Sequence, residues 1–501
     1  MSEADVTATC DVIVVGGGGS GLAAALAAAR AGRKVLVIEK APQLGGTTAL
    51  SVGTICATAT SFQKAMRIVD APDGQFEDMA KFAGPLVSRD NLALRRLLAE
   101  NVPDTVRELA DLGVRFTGPI PEPPHTYPRL HAIVPHSRGF IRQLAAECRK
   151  LGVGFRTGEA AQRLIAEAGR VVGVETSGAD GTKKSYRCRK AVVMASGDFS
   201  SASRRYKERF MKGPLLDVTG VNPMSTGDGH RMAEDVGAKV VNGDLAWGPE
   251  IRFGAPAKPS IVSQIPPIPM IGSAILLAMK VLPDVLLRPL LMGYATTFLA
   301  PSHALFQEGA ILVNAKGERF CDELNRPQDA IATQPGGTAF IILDAGVAEK
   351  FGKWPNFIST APGVGYAYLP DYRRSRPDIT FEAQTIEELA GRIGVDATAL
   401  AATIQSYNAK LGAGDGARKP VATGPFTALG PARSIILLTE GGLAVNERLQ
   451  VLREDGSVIA GLYAAGSAGQ GGVILEGHGN HLGWAFTSGR LAGRNASAES
   501  V

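Results

Sequence analysis

The stretch DVIVVGGGGSGLAAALAAARAGRKVLVIEK, Asp11 to Lys40, decides the fold. Its first five residues form a largely apolar run, as expected of a buried parallel strand. The glycines at 16, 18 and 21 then give the spacing G-x-G-x-x-G at a strand-to-helix turn. This spacing suits a tight turn, close approach of the backbone to a pyrophosphate, and close helix–strand packing. The stretch therefore predicts a dinucleotide-binding βαβ unit.

The rest of this stretch agrees with a bound dinucleotide. Leu22–Ala31 is rich in alanine and predicts a helix whose N-terminal N–H groups and dipole face the phosphates. Val35–Ile38 predicts the second strand, and Glu39 follows at its end. Glu39 lies 18 residues after Gly21, where a carboxylate can hold ribose hydroxyls. An ordinary glycine-rich turn needs no such acid, so we expect a cofactor that contains adenosine.

Two further glycine-rich segments favour FAD over NAD. Lys40–Gly53 reads KAPQLGGTTALSVG and carries the pair Gly45-Gly46 just beyond the acid. A nicotinamide enzyme needs no glycine pair there, whereas in flavoproteins this segment runs beneath the flavin. Gly461–Gly472 reads GLYAAGSAGQGG, which is typical of a strand and turn that return to the cofactor. The sequence therefore predicts FAD.

Length and composition indicate an ordinary globular enzyme of two domains. A chain of 501 residues exceeds the size at which one core keeps growing. The net charge is +5 and the basic residues are scattered, so we expect no nucleic-acid partner. Five cysteines without C-x-x-C spacing predict free thiols in a reducing compartment. The first ten residues, MSEADVTATC, show no signal peptide, so we expect a cytoplasmic location.

The positions of the glycine-rich segments set the domain organisation. We predict an α/β fold in which a Rossmann-like FAD-binding domain, residues 6–248 and 428–496, is interrupted by an α+β cap domain, residues 249–427. A proline-rich change of composition at Trp247–Pro269 marks the entry to the cap, and the chain returns near Lys419–Arg433. Ligand pockets form preferentially at domain interfaces, so we expect the active site where the FAD-binding domain meets the cap domain.

One region, 259–307, has the hydropathy of a membrane segment. Pro259–Met279 and Pro289–Gln307 carry no formal charge. The charged residues between them are Lys280, Asp284 and Arg288. A spanning helix needs about 20 apolar residues in a row, and prolines and polar residues interrupt both runs, so we expect no transmembrane span. We favour core, with a part of it lining the pocket. A subunit interface, an apolar wall or lid over a hydrophobic substrate and a peripheral membrane contact are the alternatives, and homo-oligomerisation stays open.

Seven sequence blocks, in order along nearly the whole chain, carry a family resemblance. They are GGGGSGLAAALAAARAGRKVLVIEK, GGTTALSVG, AVVMASGDFS (Ala191–Ser200), STGDGHRMAEDVGA (Ser225–Ala238), GERFCDELNR (Gly317–Arg326), GGLAVNERLQVLREDGSVIAGLYAAG (Gly441–Gly466) and GWAFTSGRLAG (Gly483–Gly493). With them the chain resembles the flavoprotein family of fumarate reductase and succinate dehydrogenase, which includes the 3-ketosteroid dehydrogenases. The resemblance implies exchange of two electrons and two protons between FAD and a C–C bond beside a carbonyl or carboxyl group.

The motifs and the resemblance together give the candidate cofactor-binding residues. These are Gly16, Gly18, Gly19, Ser20, Gly21, Glu39, Lys40, Gly45, Gly46, Thr47, Thr48, Ser51, Gly53, Ala195, Ser196, Gly197, Asp228, Gly466 and Gly483. Thr47 stands where succinate dehydrogenases carry the histidine that links the flavin covalently. The resemblance therefore implies that FAD is bound without a covalent link.

The segment PEPPHTYPRLHAIVPHSRG holds three of the seven histidines. Its prolines exclude a regular helix, so we expect a rigid loop, and no helical His spacing typical of a metal site occurs. Surface histidines in an irregular loop are the plain alternative to a functional role. The ketosteroid dehydrogenases carry a catalytic tyrosine in a comparable Tyr-Pro loop, and Tyr127 matches it. The resemblance implies that Tyr127 is the base that removes the α-proton, with His125 and Arg129 near enough in sequence to stabilise its phenolate.

A second candidate segment is LEGHGNH, Leu475 to His481. In the ketosteroid dehydrogenases a tyrosine and a glycine N–H of this block bind the ketone, and Leu475 and Gly479 stand at those positions. In fumarate reductases an arginine of this block clamps the substrate carboxylate, and His481 falls at or beside its place. Capping of the following helix is the plain alternative. Position beside the flavin favours Gly479 and His481 as groups that polarise a carbonyl.

Two departures weaken the likeness to fumarate reductases. Leu438 replaces their carboxylate-binding histidine. Arg326 lies one residue short of the place of their proton-donating arginine, so it either reaches the site or pairs with Glu323.

We therefore expect an FAD enzyme that desaturates an apolar, cyclic ketone at its α,β-bond, with Tyr127, His481 and Gly479 in the site. The alternative is an ene-reductase of an unsaturated acid that uses Arg326 as proton donor. A non-catalytic flavin-binding module is a third, weaker interpretation. The sequence identifies neither the substrate nor the electron acceptor.

Overall fold

The computed structural model describes residues 6–256, 258–361, 365–411 and 418–500. The strands are β1 Val6–Val15, β2 Val35–Glu39, β3 Thr54–Cys56, β4 Arg115–Ile120, β5 Leu130–Val134, β6 Gly154–Thr157, β7 Glu159–Glu167, β8 Arg170–Gly178, β9 Lys183–Met194, β10 Thr219–Gly220, β11 Val240–Val241, β12 Ala246–Trp247, β13 Glu250–Phe253, β14 Ala300–Pro301, β15 Ile311–Val313, β16 Ala339–Leu343, β17 Ser359–Ala361, β18 Gly365–Ala367, β19 Thr380–Ala383, β20 Phe426–Ile436, β21 Leu438–Thr439, β22 Gly442–Leu443, β23 Gln450–Leu452 and β24 Val458–Ala464. The helices are α1 Gly19–Arg30, α2 Gly46–Ala49, α3 Ser61–Ala65, α4 Pro72–Ala83, α5 Leu92–Asp111, α6 Arg138–Lys150, α7 Arg204–Lys207, α8 Asp228–Glu234, α9 Ile261–Gln264, α10 Pro269–Val281, α11 Asp284–Ala295, α12 His303–Gln307, α13 Pro327–Ile331, α14 Ala345–Lys350, α15 Leu369–Ser375, α16 Ile386–Ile393, α17 Ala397–Leu411 and α18 Asn480–Ser497.

A mixed sheet with a parallel centre organises the first part of the fold. β6, β2, β1, β9 and β24 lie side by side in this order, and each pair is parallel. Val15 at the end of β1 pairs with Ile38 on one side and with Met194 on the other, so three carboxyl ends lie level at one edge. Ligands of such sheets bind outside the carboxyl ends. The predicted α/β fold class is confirmed.

The second large sheet is built around β20. β16, β13 and β19 pair with β20 in antiparallel fashion, β10 pairs with it in parallel, and β15 extends the sheet beyond β16. Neighbouring residues of β16 alternate between two hydrophobic cores, Ile341 facing one and Ile342 the other. Both faces of this sheet are therefore covered. The domain boundaries stay a prediction. β10 lies before the expected start of the cap, and β20 crosses its expected end.

The expectation that the apolar region is buried core is wrong for α10 and the start of α11. Leu277 and Val281 of α10 are 62% and 68% exposed, and Leu286 of α11 is 63% exposed. The side chains that pack inward lie towards the two ends of the region, such as Val262, Met292 and Leu299. In the described part of the chain, no helix is long and apolar enough to cross a membrane.

The proline- and histidine-rich segment is only partly a loop, which corrects the expectation. Leu130–Val134 forms β5, the middle strand of a small antiparallel sheet with β3 and β4. Just before it, Arg129 is fully buried and bridges two acids. Its Nε and Nη2 donate to the carboxylate of Asp70 at 2.7 and 2.8 Å, and Nη1 donates to Asp78. Buried charges of this kind are stable only when paired, so Arg129 holds α4 against the start of β5.

We predict that Arg129→Gln lowers the free energy of unfolding by about 3–5 kcal/mol, because it leaves the buried carboxylate of Asp70 without its cation and removes one of the two cations that pair with Asp78. Urea unfolding followed by circular dichroism measures this. Arg163→Gln is the control, since Arg163 is half-exposed in its pair with Glu175, and such a pair contributes about 0–1 kcal/mol. Equal losses in the two variants would contradict the prediction.

The same variant should show a characteristic pH dependence. Burial alone would raise the pKa of Asp70, but hydrogen bonds from Arg129 and Gln63 outweigh this and hold it below its ordinary value. Stability from a lowered carboxyl pKa is present above the ordinary value, about 4, and is lost as the pH falls. The difference in unfolding free energy between the wild type and Arg129→Gln should therefore shrink on acidification.

Candidate active site

A cleft of about 860 Å³ lies at the carboxyl ends of β1, β2 and β9. Both glycine-rich N-terminal segments line it, together with the loop after β9 and the start of α8. The candidate cofactor residues in this lining are Gly16, Gly18, Gly19, Ser20, Glu39, Lys40, Gly46, Thr47, Thr48, Ala195, Ser196, Gly197 and Asp228. Segments far apart in sequence thus meet around one elongated cleft, as a dinucleotide requires.

The turn between β1 and α1 leaves no room for side chains. Gly16 has a φ of +111°, and a Cβ atom there would lie 2.3 Å from the carbonyl oxygen of Ala195. A Cβ atom on Gly21 would lie 1.9 Å from the oxygen of Gly16. The bare backbone and the N-terminus of α1 therefore face the cleft directly, which fits a pyrophosphate.

The carboxylate of Glu39 is fixed at the same edge. Its Oε2 accepts the N–H of Gly17 at 2.7 Å, and its Oε1 accepts the N–H of Ala41 at 2.8 Å. Each carboxylate oxygen has a further lone pair for a ribose hydroxyl. With the glycine turn beside it, this donor and acceptor set fits the adenosine half of FAD.

Six cofactor candidates lie outside the lining and support it. They are Gly21, Gly45, Ser51, Gly53, Gly466 and Gly483. The N–H of Gly45 donates to Gly17 at 3.0 Å, and the Ser51 hydroxyl donates to Thr48 at 2.7 Å. The roles of all these candidates in binding stay predictions.

The structure adds lining residues that sequence reasoning missed. They are Asn222, Met224, Ser225, Gly229, Met232, Ser467 and Ala485, with the apolar Val15, Ile38 and Ala161. The Asn222 amide donates to the Thr47 hydroxyl at 3.0 Å, and Lys40 pairs with Asp228 at 2.8 Å. Asn222 carried no sequence motif, whereas Ser225 and Gly229 lie in a block already matched to the family.

Helix α18 connects this cleft to a second site. Its Gly489 and Gly493 lie directly on α1, where added Cβ atoms would come within 2.3 Å of Ser20 O and 2.1 Å of Ala24 O. Its N-terminus, at Gly479 and Asn480, lies against β3, since a Cβ atom on Gly479 would be 2.4 Å from the nitrogen of Cys56. The first residues of α18 therefore have a fixed position relative to the cofactor cleft.

A group of mostly buried side chains, here called the polar cluster, surrounds the start of α18. Its members are Glu122, Trp247, Glu440, Gln470, His478 and His481. Nε2 of His481 lies 2.9 Å from Oε1 of Glu440, and its ring stacks on Trp247 with centroids 5.1 Å apart. The Gln470 amide and the N–H of Leu475 donate to the other oxygen of Glu440. The His481 ring is thus placed by stacking on Trp247 and by its proximity to Glu440, while neither ring nitrogen has a hydrogen-bond partner among the described residues.

Glu122 joins the Tyr127 loop to the polar cluster. One oxygen of Glu122 accepts the N–H of His478 at 3.3 Å and also contacts its ring. The other oxygen lies 3.8 Å from Nε2 of His125. Sequence reasoning did not find Glu122, because the contact joins residues 356 positions apart. The two candidate catalytic segments are therefore neighbours.

Tyr127 itself lies on the outer side of this loop, with 40% of its surface exposed. The Arg129 guanidinium is 6.0 Å from the centre of its ring. Burial, with Arg129 as a second cause, lowers the pKa of His125 to about 4, so this ring is neutral at pH 7. Arg129 is occupied by Asp70 and Asp78. His125 is thus uncharged and Arg129 is already paired, and the catalytic role of Tyr127 stays a prediction.

Arg326 lies apart from the polar cluster. Its side chain is 64% exposed and pairs with Asp329, with Nε to Oδ2 at 2.6 Å. The expected alternative partner, Glu323, is held instead by Arg319. Leu438, by contrast, lies next to the cluster, because it pairs with Trp247 between β21 and β12.

Comparison with known proteins agrees with these features. Residues 11–261 and 289–481 match the model of a family described as the FAD binding domain. An NADH:acrylate oxidoreductase of Vibrio harveyi is 26% identical over 99% of this chain, which spans about half (51%) of that relative's length. A probable fumarate reductase of Shewanella frigidimarina is 28% identical, with 98% of this chain and 76% of the relative covered. A 4-oxocyclohexanecarboxylate 2-dehydrogenase of Sinomonas cyclohexanicum is 26% identical, with 99% and 94% covered.

Solved structures show the same fold. A flavocytochrome c3 fumarate reductase in its open conformation superposes with a TM-score of 0.72 at 25% identity, covering 99% of this chain and 79% of that one. A 3-ketosteroid Δ4-(5α)-dehydrogenase of Rhodococcus jostii RHA1 gives a TM-score of 0.61 at 24% identity, covering 99% and 98%.

We predict that Gly16→Val abolishes FAD binding, because its side chain would collide with Ala195 and occupy the place of the pyrophosphate. The visible absorbance of the purified variant measures this. Gly391→Ala is the control, since a Cβ atom there meets nothing within 4 Å, and it should keep its yellow colour. A yellow Gly16→Val protein would contradict the assignment of the turn.

We further predict that acid or heat releases all of the FAD from the wild-type protein into the supernatant. Thr47 is hydrogen-bonded to Asn222, and its hydroxyl replaces the linking histidine of succinate dehydrogenases. Flavin that stays with the denatured chain through gel filtration would show a covalent link.

Proposed function

Because the chain belongs to the FAD binding domain family, it is a flavoprotein oxidoreductase, and we propose that it introduces an α,β double bond into an apolar, cyclic ketone. Relatives of this family act on CH–CH bonds in both directions. The relatives that act on ketones support the proposal because this chain covers nearly their whole length. The chain covers 94% of the 4-oxocyclohexanecarboxylate 2-dehydrogenase and 98% of a 3-oxosteroid 1-dehydrogenase of Mycolicibacterium smegmatis, but less of the reductases named above.

The composition of the polar cluster carries the proposal. The side chain that contacts His481 is the buried carboxyl group of Glu440. Glu122 lies in the same cluster, and burial, with Glu440 as a second cause, raises the pKa of the adjacent Glu476. Carboxyl groups offer no cation to a substrate carboxylate placed beside them and repel it when they are ionised. A ketone that places no carboxylate in this cluster meets neither penalty.

The departures from the fumarate reductases support the same conclusion. Leu438, beside Trp247, offers an apolar surface where the carboxylate-binding histidine of fumarate reductases would stand. Arg326 is exposed and already paired with Asp329, so it offers no free cation to the cluster. A dicarboxylate would therefore lack the histidine that binds its carboxylate and the arginine that donates a proton to it in those enzymes.

FAD supplies the acceptor for the hydride that leaves the β-carbon of the ketone. The chain's own residues have two tasks. The N–H of Gly479, for which the described residues provide no acceptor, and His481 donate to the ketone oxygen, which stabilises the enolate charge. Glu440 keeps the His481 ring in place for this contact. Tyr127 is the candidate base for the α-proton.

The alternative is an ene-reductase of an unsaturated carboxylic acid. Its support is the 28% identity with the Shewanella relative. It requires Arg326 to leave Asp329 and enter the site as proton donor.

We predict that, without oxygen, a saturated cyclohexanone or 3-ketosteroid bleaches the flavin of the wild-type enzyme, whereas saturated dicarboxylic acids do not. Stopped-flow absorbance at the flavin band measures the rate. Chemically reduced enzyme should be reoxidised by a cyclic enone faster than by fumarate. Rapid reoxidation by fumarate alone would overturn the ketone proposal in favour of the alternative, and no response to either class would favour a binding module.

We predict that Tyr127→Phe keeps its FAD but slows flavin reduction by about 10²–10⁴-fold, the range typical of general base catalysis. It should also suppress solvent exchange of the substrate α-hydrogen. Tyr366→Phe is the matched control, because Tyr366 is likewise 40% exposed. An unchanged rate in Tyr127→Phe would exclude Tyr127 and leave His481, then Glu440, as the base.

A further inference from the structure

Helices α10 and α11 follow each other with residues 282 and 283 between them, and this segment is here called the apolar hairpin. It carries many large, exposed apolar side chains. They are Met270, Leu277, Val281, Leu282, Leu286, Leu290 and Leu291, with Ile261 of the adjacent α9. Their exposed fractions run from 37% to 74%. A concentration of exposed apolar side chains on a folded protein marks an interaction site.

Much of the hairpin falls outside the residues that match the family. The family match stops at residue 261 and resumes at 289, so it omits all of α10 and the start of α11. The polar cluster and the cofactor cleft, except Ala485, lie within the matched residues. The match to the FAD binding domain therefore does not rest on α10.

The inner side of the hairpin is held firmly to the protein. The Arg115 side chain donates to the Ser273 hydroxyl at 2.9 Å, and the Gln143 amide donates to the oxygen of Pro267 at 3.2 Å. On α11, Arg288 pairs with Asp371 at 2.7 Å. These contacts use one side only, so the apolar side chains stay presented to the surroundings.

Basic side chains accompany the hairpin. Lys280 lies near its tip, Arg138 and Arg142 lie on α6 beside its base, and Lys258 precedes α9; all four are exposed. Among the described residues none of the four has an ion-pair partner. Acidic residues of the same region are Asp284, which belongs to α11, and the exposed Asp111 at the end of α5. An anionic surface would neutralise this basic excess.

Amphipathic aromatic residues lie on the other flank. Trp354 is 64% exposed and Tyr366 is 40% exposed, with ring centroids 5.4 Å apart. The Arg288 guanidinium of α11 donates to the backbone oxygen of Tyr366 at 3.1 Å, which ties these rings to the hairpin. Tryptophan and tyrosine favour the level of lipid headgroups, where the ring is apolar and its polar atom is hydrated.

We propose that the apolar hairpin docks on the surface of an anionic lipid bilayer. Its helices have 13 and 12 residues, whereas a span needs about 20, so the hairpin lies within one interface. Leucine, methionine and valine enter the acyl boundary, the basic residues meet anionic headgroups, and Trp354 and Tyr366 lie at headgroup level. A second copy of the chain is less suitable, because a two-fold contact through this surface would bring the same basic residues together.

Vesicle sedimentation with the flavin-loaded protein tests the proposal. We expect binding to vesicles of phosphatidylcholine with phosphatidylglycerol, weaker binding to phosphatidylcholine alone, and loss of the difference at high salt. Brominated lipids should quench the fluorescence of Trp354, and Trp354→Phe should remove that quenching. Absence of sedimentation with either vesicle would overturn the proposal.

Matched variants locate the contact. Leu277→Asp with Leu286→Asp should reduce binding at least about tenfold, whereas Val69→Asp with Val458→Asp, at exposed sites elsewhere, should not. Lys280→Gln and Arg142→Gln should each lower binding to anionic vesicles about fivefold, which tests the site without disturbing apolar packing. Retained flavin absorbance confirms that each variant is folded. Equal binding by the two aspartate double variants would overturn the proposal. It would also be overturned if the wild-type protein bound no vesicles but formed a dimer, and Leu277→Asp with Leu286→Asp dissociated that dimer.

Discussion

The close approach of three backbone segments, rather than any single side chain, sets the geometry of this protein. The end of β1 lies between the ends of β2 and β9, and the turn at Gly16 passes so near Ala195 that only glycine fits. Gly21 lets α1 start directly on this turn. Because the backbone occupies this space, the N-terminus of α1 and the carboxylate of Glu39 converge on one cleft. The positions of the other parts of the site depend on these three backbone segments.

Helix α18 transmits this geometry to the substrate side. Two of its glycines rest on the backbone of α1, and its first residues carry Gly479 and His481. Glu440 and Trp247 then orient His481, and Glu122 brings in the loop of Tyr127. The polar cluster is thus a set of side chains from several distant segments, arranged around the end of one helix whose place is fixed by the cofactor fold.

The sequence predicted the cofactor half better than the catalytic half, for a physical reason. G-x-G-x-x-G and Glu39 lie within one βαβ unit, where short-range spacing determines geometry, and most candidates from this unit line the cleft. Glu122, Asn222 and Trp247 contact residues that lie far away in the sequence. Such contacts leave no pattern in the local spacing of residues. The hydropathy of residues 259–307 also led to a wrong expectation. Apolar side chains predict an apolar partner, but hydropathy does not show whether that partner belongs to the same chain. The expected pairing of Arg326 with Glu323 was also wrong, because Asp329 lies three residues after Arg326 and pairs with it instead.

The glycine contacts between α18 and α1 bear on how this architecture diversifies. Since main chain touches main chain there, the gap between cofactor and substrate does not depend on which side chains surround the substrate. Replacing Leu438, His481 or their neighbours can change the preferred molecule without altering that gap. A lineage can therefore move between ketones and unsaturated acids by exchanging a few residues around a constant spacing, while the scaffold stays the same.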